Sequence, residues 1–453
     1  MVPALVLDRR RDERLTRSAR RAAFFCGAVG ALAAEIAAAG SRLIVRSGPA
    51  LSTVLRLARE ADAHTVVWSA GYDAATASAD RDLQASLEER GLRVLVVHDA
   101  PIVPPEETGT VHTGAGSGYR ALAPYLVAWG GVPRTAAAGR VTFAPPPAAG
   151  GEPLPEPQRF GSDAAAAPDA TGAAARAALS AFMRGPVLGY AVARDVPAQP
   201  TSKLSAHLSF GTISAREVLR AVDERAADPF LLAEERQSLR AFSLALARRD
   251  FFLQLAWSSG GRRDRPLQER MRGFPARRSH PAFAAWSAGM TGYPLVDAGM
   301  RELAVTGTMH PRVRQIAASF LCFDLGVDWR VGRDAWDALL VEDDPALADG
   351  NWQWVAGVGA DLAQVPRIFN PRKQARRMDP AGTYVKRWID ELADVPPADI
   401  FESHARSRSP QLALDLFAAG TYPAPVVDHE TAAREYLRRY AAFVRERRTA
   451  GTW

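Results

Sequence analysis

Residues 42–97 read RLIVRSGPALSTVLRLAREADAHTVVWSAGYDAATASADRDLQASLEERGLRVLVV. Three β-rich runs, RLIV from Arg42, TVVW from Thr65 and RVLVV from Arg93, alternate with two stretches, Leu51–Ala61 and Ala77–Glu89, whose apolar residues recur at helical spacing. Strands separated by helical crossovers pair in parallel and bury both faces, so this alternation predicts a parallel sheet with helices on its faces. Toward the N-terminus, ALVL from Ala4 and the helical pattern Ala22–Ala38 extend it. The expectation is a doubly wound, Rossmann-like α/β domain over residues 1–134. It carries no G-x-G-x-x-G after a strand and no G-x-x-x-x-G-K-[ST], so neither a dinucleotide fingerprint nor a P-loop is present, and the fold alone gives no function.

Downstream the composition shifts to Pro, Ala and Gly, as in FAPPPAAGGEPLPEP (143–157) and DAAAAPDATG (163–172). A linker over 135–175 follows from that shift. Beyond it the pattern is helical over 176–453. Ser214 with Glu217 predicts a capping box, and Val296, Met300, Leu303 and Ala304 predict one helix face.

Length and composition bound the rest. The 453 residues, 47% apolar and 23% charged, describe a folded chain of two or three domains. Two cysteines, Cys26 and Cys322, cannot build a disulfide framework or a four-thiolate metal site, which suits a reducing cytoplasm and predicts no metal. No run of about 20 residues free of charge stands out, so a soluble, cytoplasmic protein is expected. Lys and Arg total 56 against 50 Asp and Glu, and the only lysines are Lys203, Lys373 and Lys386. The arginines cluster at 240–278 and 365–388, interleaved with Phe251, Phe252, Trp257, Phe369, Tyr384 and Trp388. Positive charge mixed with stacking surfaces is the footprint of a nucleic-acid groove.

Two short segments carry candidate chemistry. TSKLS (201–205) gathers hydroxyls and a cation ahead of a helix, where a pyrophosphate would be held. EDDPALADGNWQW (342–354) follows with acids at Glu342, Asp343 and Asp344 and indoles at Trp352 and Trp354.

The blocks TSKLS, TGYPLVDAGMREL (291–303), TGTMHPRVR (306–314), ASFL (318–321), DWR (328–330), NWQW (351–354) and RIFNP (367–371) stand in the order and spacing of the cryptochrome/photolyase family. The chain resembles a bacterial DNA photolyase of that family over roughly residues 1–445. The resemblance implies FAD inside the helical domain and light-driven electron donation to a cyclobutane pyrimidine dimer flipped out of damaged DNA, because a flavin cannot reach a stacked base. A monomer is implied, and a second antenna chromophore, deazaflavin or folate, is left open. A cryptochrome-like FAD photoreceptor without repair activity is the alternative.

Family roles fall on particular residues. Tyr190 matches a tyrosine at the FAD, Thr201, Ser202, Lys203, Leu204 and Ser205 the phosphate loop, and Arg249 an arginine on the cofactor side. Glu342 and Asp344 match the acidic pair at the adenosine and isoalloxazine ends, with Arg314 as the partner of the first. Trp352 and Trp329 match the inner and middle indoles of an electron relay, whose outermost indole has no counterpart in RMRGFPARRSHP (270–281). Arg194, Arg248, Arg312, Trp354 and Gln374 match contacts to DNA, Trp354 as a stacking platform.

The chain also departs from the pattern. Pro311 stands where dimer photolyases carry an Asn, Ala245 and Arg248 replace their substrate Glu and Trp, and Ala348 replaces the Asn facing flavin N5. Of the histidine pair of the (6-4) branch only His310 is present, and the four cysteines of the iron-sulfur branch are absent. The opening strand and loop of the family, roughly 30 residues by usual βαβ lengths, have no counterpart before ALVL.

Overall fold

The computed structural model describes residues 1–109, 118–134, 139, 141–143, 145, 150–162, 167–260, 264–360, 365–401 and 422–450. Arg262 and Arg263 of the first basic cluster, residues 110–117 and much of the expected linker lie outside them. Two compact units are formed. The first comprises Met1–Ala191, Ser202–Arg263 and Ala338–Leu347, and the second Val192–Thr201, Asp264–Asp337 and Ala348–Trp453.

In the first unit, β1 (Ala4–Leu7) lies parallel to β2 (Ile44–Ser47), and β3 (Thr65–Ser69) parallel to β4 (Arg93–Val97). The register sets Ala4 beside Ile44 and Thr65 beside Arg93. Among the described residues the strands form two separate parallel pairs and not one continuous ladder. Helices Ala19–Ala38, Ala50–Glu60 and Ala74–Glu88 make the crossovers, within a few residues of the apolar periodicity that predicts them. Ser18 and Asp73 cap two of them by accepting N–H donors of the first turn.

Helix Ala19–Ala38 is long and apolar enough to cross a bilayer by length and composition. Here it is a core helix: Phe25, Cys26 and Val29 pack with Leu7, Leu15, Val45 and Phe160, while Phe24 packs with Ala170, Ala206 and Val341. The 26-residue helix Ala233–Ser258 buries Leu239, Phe242, Leu246 and Phe251. The expected capping box at Ser214 is half made. Its hydroxyl accepts from Arg216 N–H, but the Glu217 carboxylate turns to Arg176 Nε at 2.8 Å, an ion pair that competes for the same oxygen.

The second unit is helical, with Pro294–Thr306, Pro311–Ser319, Trp329–Asp337, Pro371–Met378, Thr383–Trp388 and His429–Thr449 as its main elements. Three of these begin with proline, whose missing N–H costs nothing in a first turn. Val296, Met300 and Leu303 are buried as expected, whereas Ala304 is exposed at the margin of that face. Buried Asp297 ties a loop to its helix, accepting from Thr291 N–H at 2.8 Å, Gly292 N–H at 3.0 Å and the Tyr422 hydroxyl.

Candidate cofactor and nucleic-acid site

In the first unit, the acids Glu342 and Asp344 ride on a short turn locked from far away in sequence. Arg21 has 0% exposure. Its guanidinium donates to the carbonyls of Leu340 (3.4 Å), Glu342 (3.1 Å) and Arg14 (3.3 Å). A buried arginine needs acceptors for its donors, and here both Nη groups reach backbone carbonyls, two of them in or beside the turn, while Nε makes no hydrogen bond and stands 4.0 Å from Asp343 Oδ1. Arg14 adds an ion pair to Asp343, with Nε at 2.7 Å, and Asp343 N–H donates to Ser209 Oγ at 2.8 Å. Sequence reasoning missed Arg14 and Arg21, because nothing local links residue 21 to residue 342.

Asp344 accepts from Leu347 N–H at 3.2 Å. Burial pushes its carboxyl up to about 6, with neighbouring Asp343 and Glu342 acting in the same direction and the Arg249 charge against them. Arg249 is buried and donates to Ala100 O at 2.6 Å and Leu208 O at 3.3 Å. Leu208 belongs to helix Ser205–Phe210, which opens at the end of TSKLS, so Arg249 links the phosphate-loop helix electrostatically to the acidic turn.

Within TSKLS, Lys203 sits at φ 52°, a left-handed conformation for a residue that is not glycine. That costs on the order of 1–2 kcal/mol and is held where surrounding structure dictates it. Leu204 is buried as an anchor, leaving Lys203 and Ser205 exposed and Ser202 half-buried. Tyr190 packs edge-on against Phe182 and Phe242, with centroids 6.1 and 5.1 Å away. Arg248 is exposed, one position along the helix from buried Arg249.

In the second unit, the His310–Arg314 segment begins a helix. Pro311 is the first helical residue, and His310 Nδ1 accepts from Arg312 N–H at 3.3 Å. Burial lowers the His310 imidazole to about 4, with Arg312 and Arg314 acting in the same direction, so it is neutral and fit to accept. The His310 backbone N–H donates to Glu302 Oε2 at 3.0 Å, which also receives the Tyr384 hydroxyl at 2.5 Å. Arg312 pairs with Asp195 and donates to Gln315 at 2.7 Å, and Arg314 Nε donates to Met309 O at 2.9 Å. Pro311 offers no side-chain donor.

Trp352 is 4% exposed. The indole in contact with it is Trp336, 4.5 Å centroid to centroid, followed by Trp286 at 6.0 Å in a nearly parallel stack. Neither was singled out from sequence, although Trp336 falls seven residues, two helical turns, after Trp329. Gly332 makes the approach possible: a Cβ there would meet Trp352 at 2.4 Å and Leu321 at 2.3 Å. Trp329 lies beneath the guanidinium groups of Arg330 and Arg333, at 4.8 and 5.3 Å. Trp354 lines a narrow cleft, about 10 Å3 in volume, together with Arg367, Phe369, Gln268 and Tyr440. Gln374 accepts from Arg377 at 3.0 Å, and Arg194 is exposed.

The first unit thus holds residues 202–205, buried Arg249 and the carboxyls of Glu342 and Asp344, with Thr201 in the second unit, donors and acceptors of the kinds a nucleotide cofactor needs. The second holds indoles in contact and a cleft that mixes arginine with aromatic faces. No group of three or more His, Cys, Asp or Glu able to hold a metal lies among the described residues.

Family models match both the N-terminal and the C-terminal part of the chain. The family described as the FAD binding domain of DNA photolyase matches residues 242–442, and that described as DNA photolyase matches residues 1–148. The chain is 36% identical over 431 residues to the deoxyribodipyrimidine photo-lyase of Halobacterium salinarum, covering 92% of this chain and 87% of that one. A class III photolyase from Agrobacterium tumefaciens superposes with a TM-score of 0.85 at 31% identity, covering 98% and 92% of the two chains. An archaeal photolyase from Sulfolobus tokodaii with two FAD molecules superposes with a TM-score of 0.80 at 26% identity, covering 97% and 93%.

Proposed function

This chain belongs to the cryptochrome/photolyase family, and from that premise we propose that it is a deoxyribodipyrimidine photo-lyase, a carbon-carbon lyase that uses FAD and light to split pyrimidine dimers in DNA. The observation that carries this is the identity of more than a third over nine-tenths of the chain to a protein of that activity. FAD, when bound, supplies light-driven one-electron transfer. The remaining work belongs to the chain.

Ser202, Lys203 and Ser205 would donate to the pyrophosphate, where a cation and hydroxyls offset two negative charges. Tyr190, Thr201, Leu204 and Arg249 would complete that wall. Glu342 and Asp344 would accept from the cofactor's hydroxyl and imide donors, with Arg314 balancing the charge of Glu342 and that of a reduced, anionic ring. Trp352 would pass an electron to the ring, Trp329 would stand behind it, and the contact with Trp336 offers a second neighbour. Trp354 would stack on the flipped lesion beside Arg367 and Phe369. Arg194, Arg248, Arg312 and Gln374 would meet the DNA backbone and fix register without reading sequence. With Pro311 and Ala245 unable to hydrogen-bond the dimer, recognition would rest on stacking and shape.

In this reading the α/β domain spans 1–134, the linker 135–175 and the helical domain 176–453, the chain acts as a cytoplasmic monomer, and a deazaflavin or folate antenna is optional. The deciding experiment incubates purified, chemically reduced protein with ultraviolet-irradiated DNA under blue light and in the dark. Light-dependent loss of cyclobutane dimers is expected. Full flavin occupancy with dimers unchanged in both arms would leave a photoreceptor and overturn the repair assignment.

A further inference from the structure

The second unit contains a further cavity, of about 230 Å3 and open to solvent, lined among others by Arg265, Arg272, Phe274, Ala276, Trp329 and Arg330. That volume lies just below the range of drug-sized ligand sites and suits a ligand built on one small ring system. Its walls combine π surfaces with guanidinium groups. Phe274 is held at its place by Tyr436 and Phe443, with centroids 5.5 and 5.3 Å away, so it forms a rigid face. Ala276 lies in the segment 270–281, which holds no indole, and its single methyl leaves the space beside Trp329 unfilled.

The charge of the wall selects the ligand. Arg330 Nη1 is 2.9 Å from each oxygen of Asp328, and Arg272 Nη1 is 2.7 Å from Glu269 Oε1, so these two arginines are neutralised by neighbours. Arg265 is exposed and makes no ion pair among the described residues. One uncompensated positive charge over aromatic walls suits a planar ring bearing one negative charge, which gains stacking and an ion pair together.

We propose that this cavity binds a small, electron-rich aromatic monoanion, which gives one electron to Trp329. The donor role rests on the relay reading of Trp329 given above, and the binding does not. Trp329 itself lines the cavity, so a ring seated there lies against the indole that would accept the electron, and an oxidised indole is a strong one-electron oxidant. The balance is simple. The bound aromatic loses one electron and is left as a net-neutral radical, and the oxidised indole returns to its neutral closed-shell form with no proton transferred.

The test uses the full chain loaded with FAD and indole-3-acetate as probe, which carries the missing ring and one carboxylate. Binding is followed by calorimetry and ligand-observed NMR. Ala276→Trp, which fills the space, is expected to weaken binding at least tenfold, and Arg265→Glu about fivefold. Uncharged tryptophol should bind about fivefold more weakly than indole-3-acetate. Parent-like affinity in Ala276→Trp, or equal affinity for the two probes, overturns the site. In blue light the rate of flavin reduction should rise saturably with indole-3-acetate in the parent and not in Trp329→Phe, whose aromatic face keeps the binding. Binding that follows the expected pattern with no rate response in the parent overturns the donor role together with the relay reading of Trp329.

Discussion

The turn that carries Glu342 and Asp344 and the turn that carries His310, Arg312 and Arg314 are organised in opposite ways. The first is held by residues more than 300 positions away: Arg21 is fully buried against its carbonyls and Arg14 pairs with Asp343. The second takes part of its support from its own neighbours, with His310 capping its own helix and Arg314 returning to Met309 five residues earlier, and its distant tie, Arg312 to Asp195, is partly exposed. A turn fixed by distant buried groups cannot change without disturbing several elements. A turn fixed locally can exchange a side chain and keep its shape. The substitution of Pro311 for an amide side chain falls in the second kind, since proline suits the first helical position whatever the site requires.

The sharpest way to break this contrast is Arg21→Met. Removing a buried charge from its acceptors costs about 3–5 kcal/mol, so urea unfolding should shift strongly and the flavin-to-protein absorbance ratio should fall. A parent-like unfolding midpoint would show that the turn does not depend on its distant lock. The next effect concerns pH, where the two turns carry opposite signs. The Asp344 carboxyl is raised to about 6, so the folded protein holds that proton more tightly than the unfolded chain, and this contribution to stability is lost as pH rises from about 4 to 6. The His310 imidazole is lowered to about 4, so its contribution is lost as pH falls from about 6.5 to 4. Cofactor-free Asp344→Asn should therefore become relatively more stable than the parent toward pH 6, and His310→Gln relatively more stable toward pH 4. Thermal melts of both variants across that window check the signs.

Smaller effects sharpen the same comparison. Trp354→Ala should weaken binding to dimer-containing DNA by about 1–3 kcal/mol, measured by fluorescence anisotropy against undamaged duplex. Undiminished preference for the lesion would remove Trp354 from the recognition surface. Least costly for stability should be Arg312→Ala, because its pairing with Asp195 is partly exposed and such pairs are worth about 0–1 kcal/mol. A loss as large as that of Arg21→Met would erase the distinction between the two turns.

Much of the fold was legible in the sequence because it rests on periodicity. The crossover helices and the strands from Ala4, Thr65 and Arg93 lie where apolar spacing puts them, and β2 begins two residues later than RLIV. What periodicity cannot supply is pairing, and the strands meet in two pairs. The motif residues of the site were legible as strings, but their supports were not. Arg21 reads as one more arginine on an amphipathic helix, and only the three-dimensional fold brings it to Leu340 and Glu342. Glu217 looks like a capping residue, and Arg176, 41 positions earlier, claims it. Trp336 was readable in principle from its two-turn offset from Trp329, but which of two indoles touches Trp352 depends on how closely the helices pack.

That closeness turns on one hydrogen atom. Gly332 has one where any other residue would place a carbon, and the carbon would collide with Trp352. Electron tunnelling decays exponentially with the gap between rings, while packing energy changes only gradually as rings part. A methyl wedge at this position would therefore register twice, as overpacking worth about 1–3 kcal/mol in a melting curve and as slower electron transfer in microsecond kinetics.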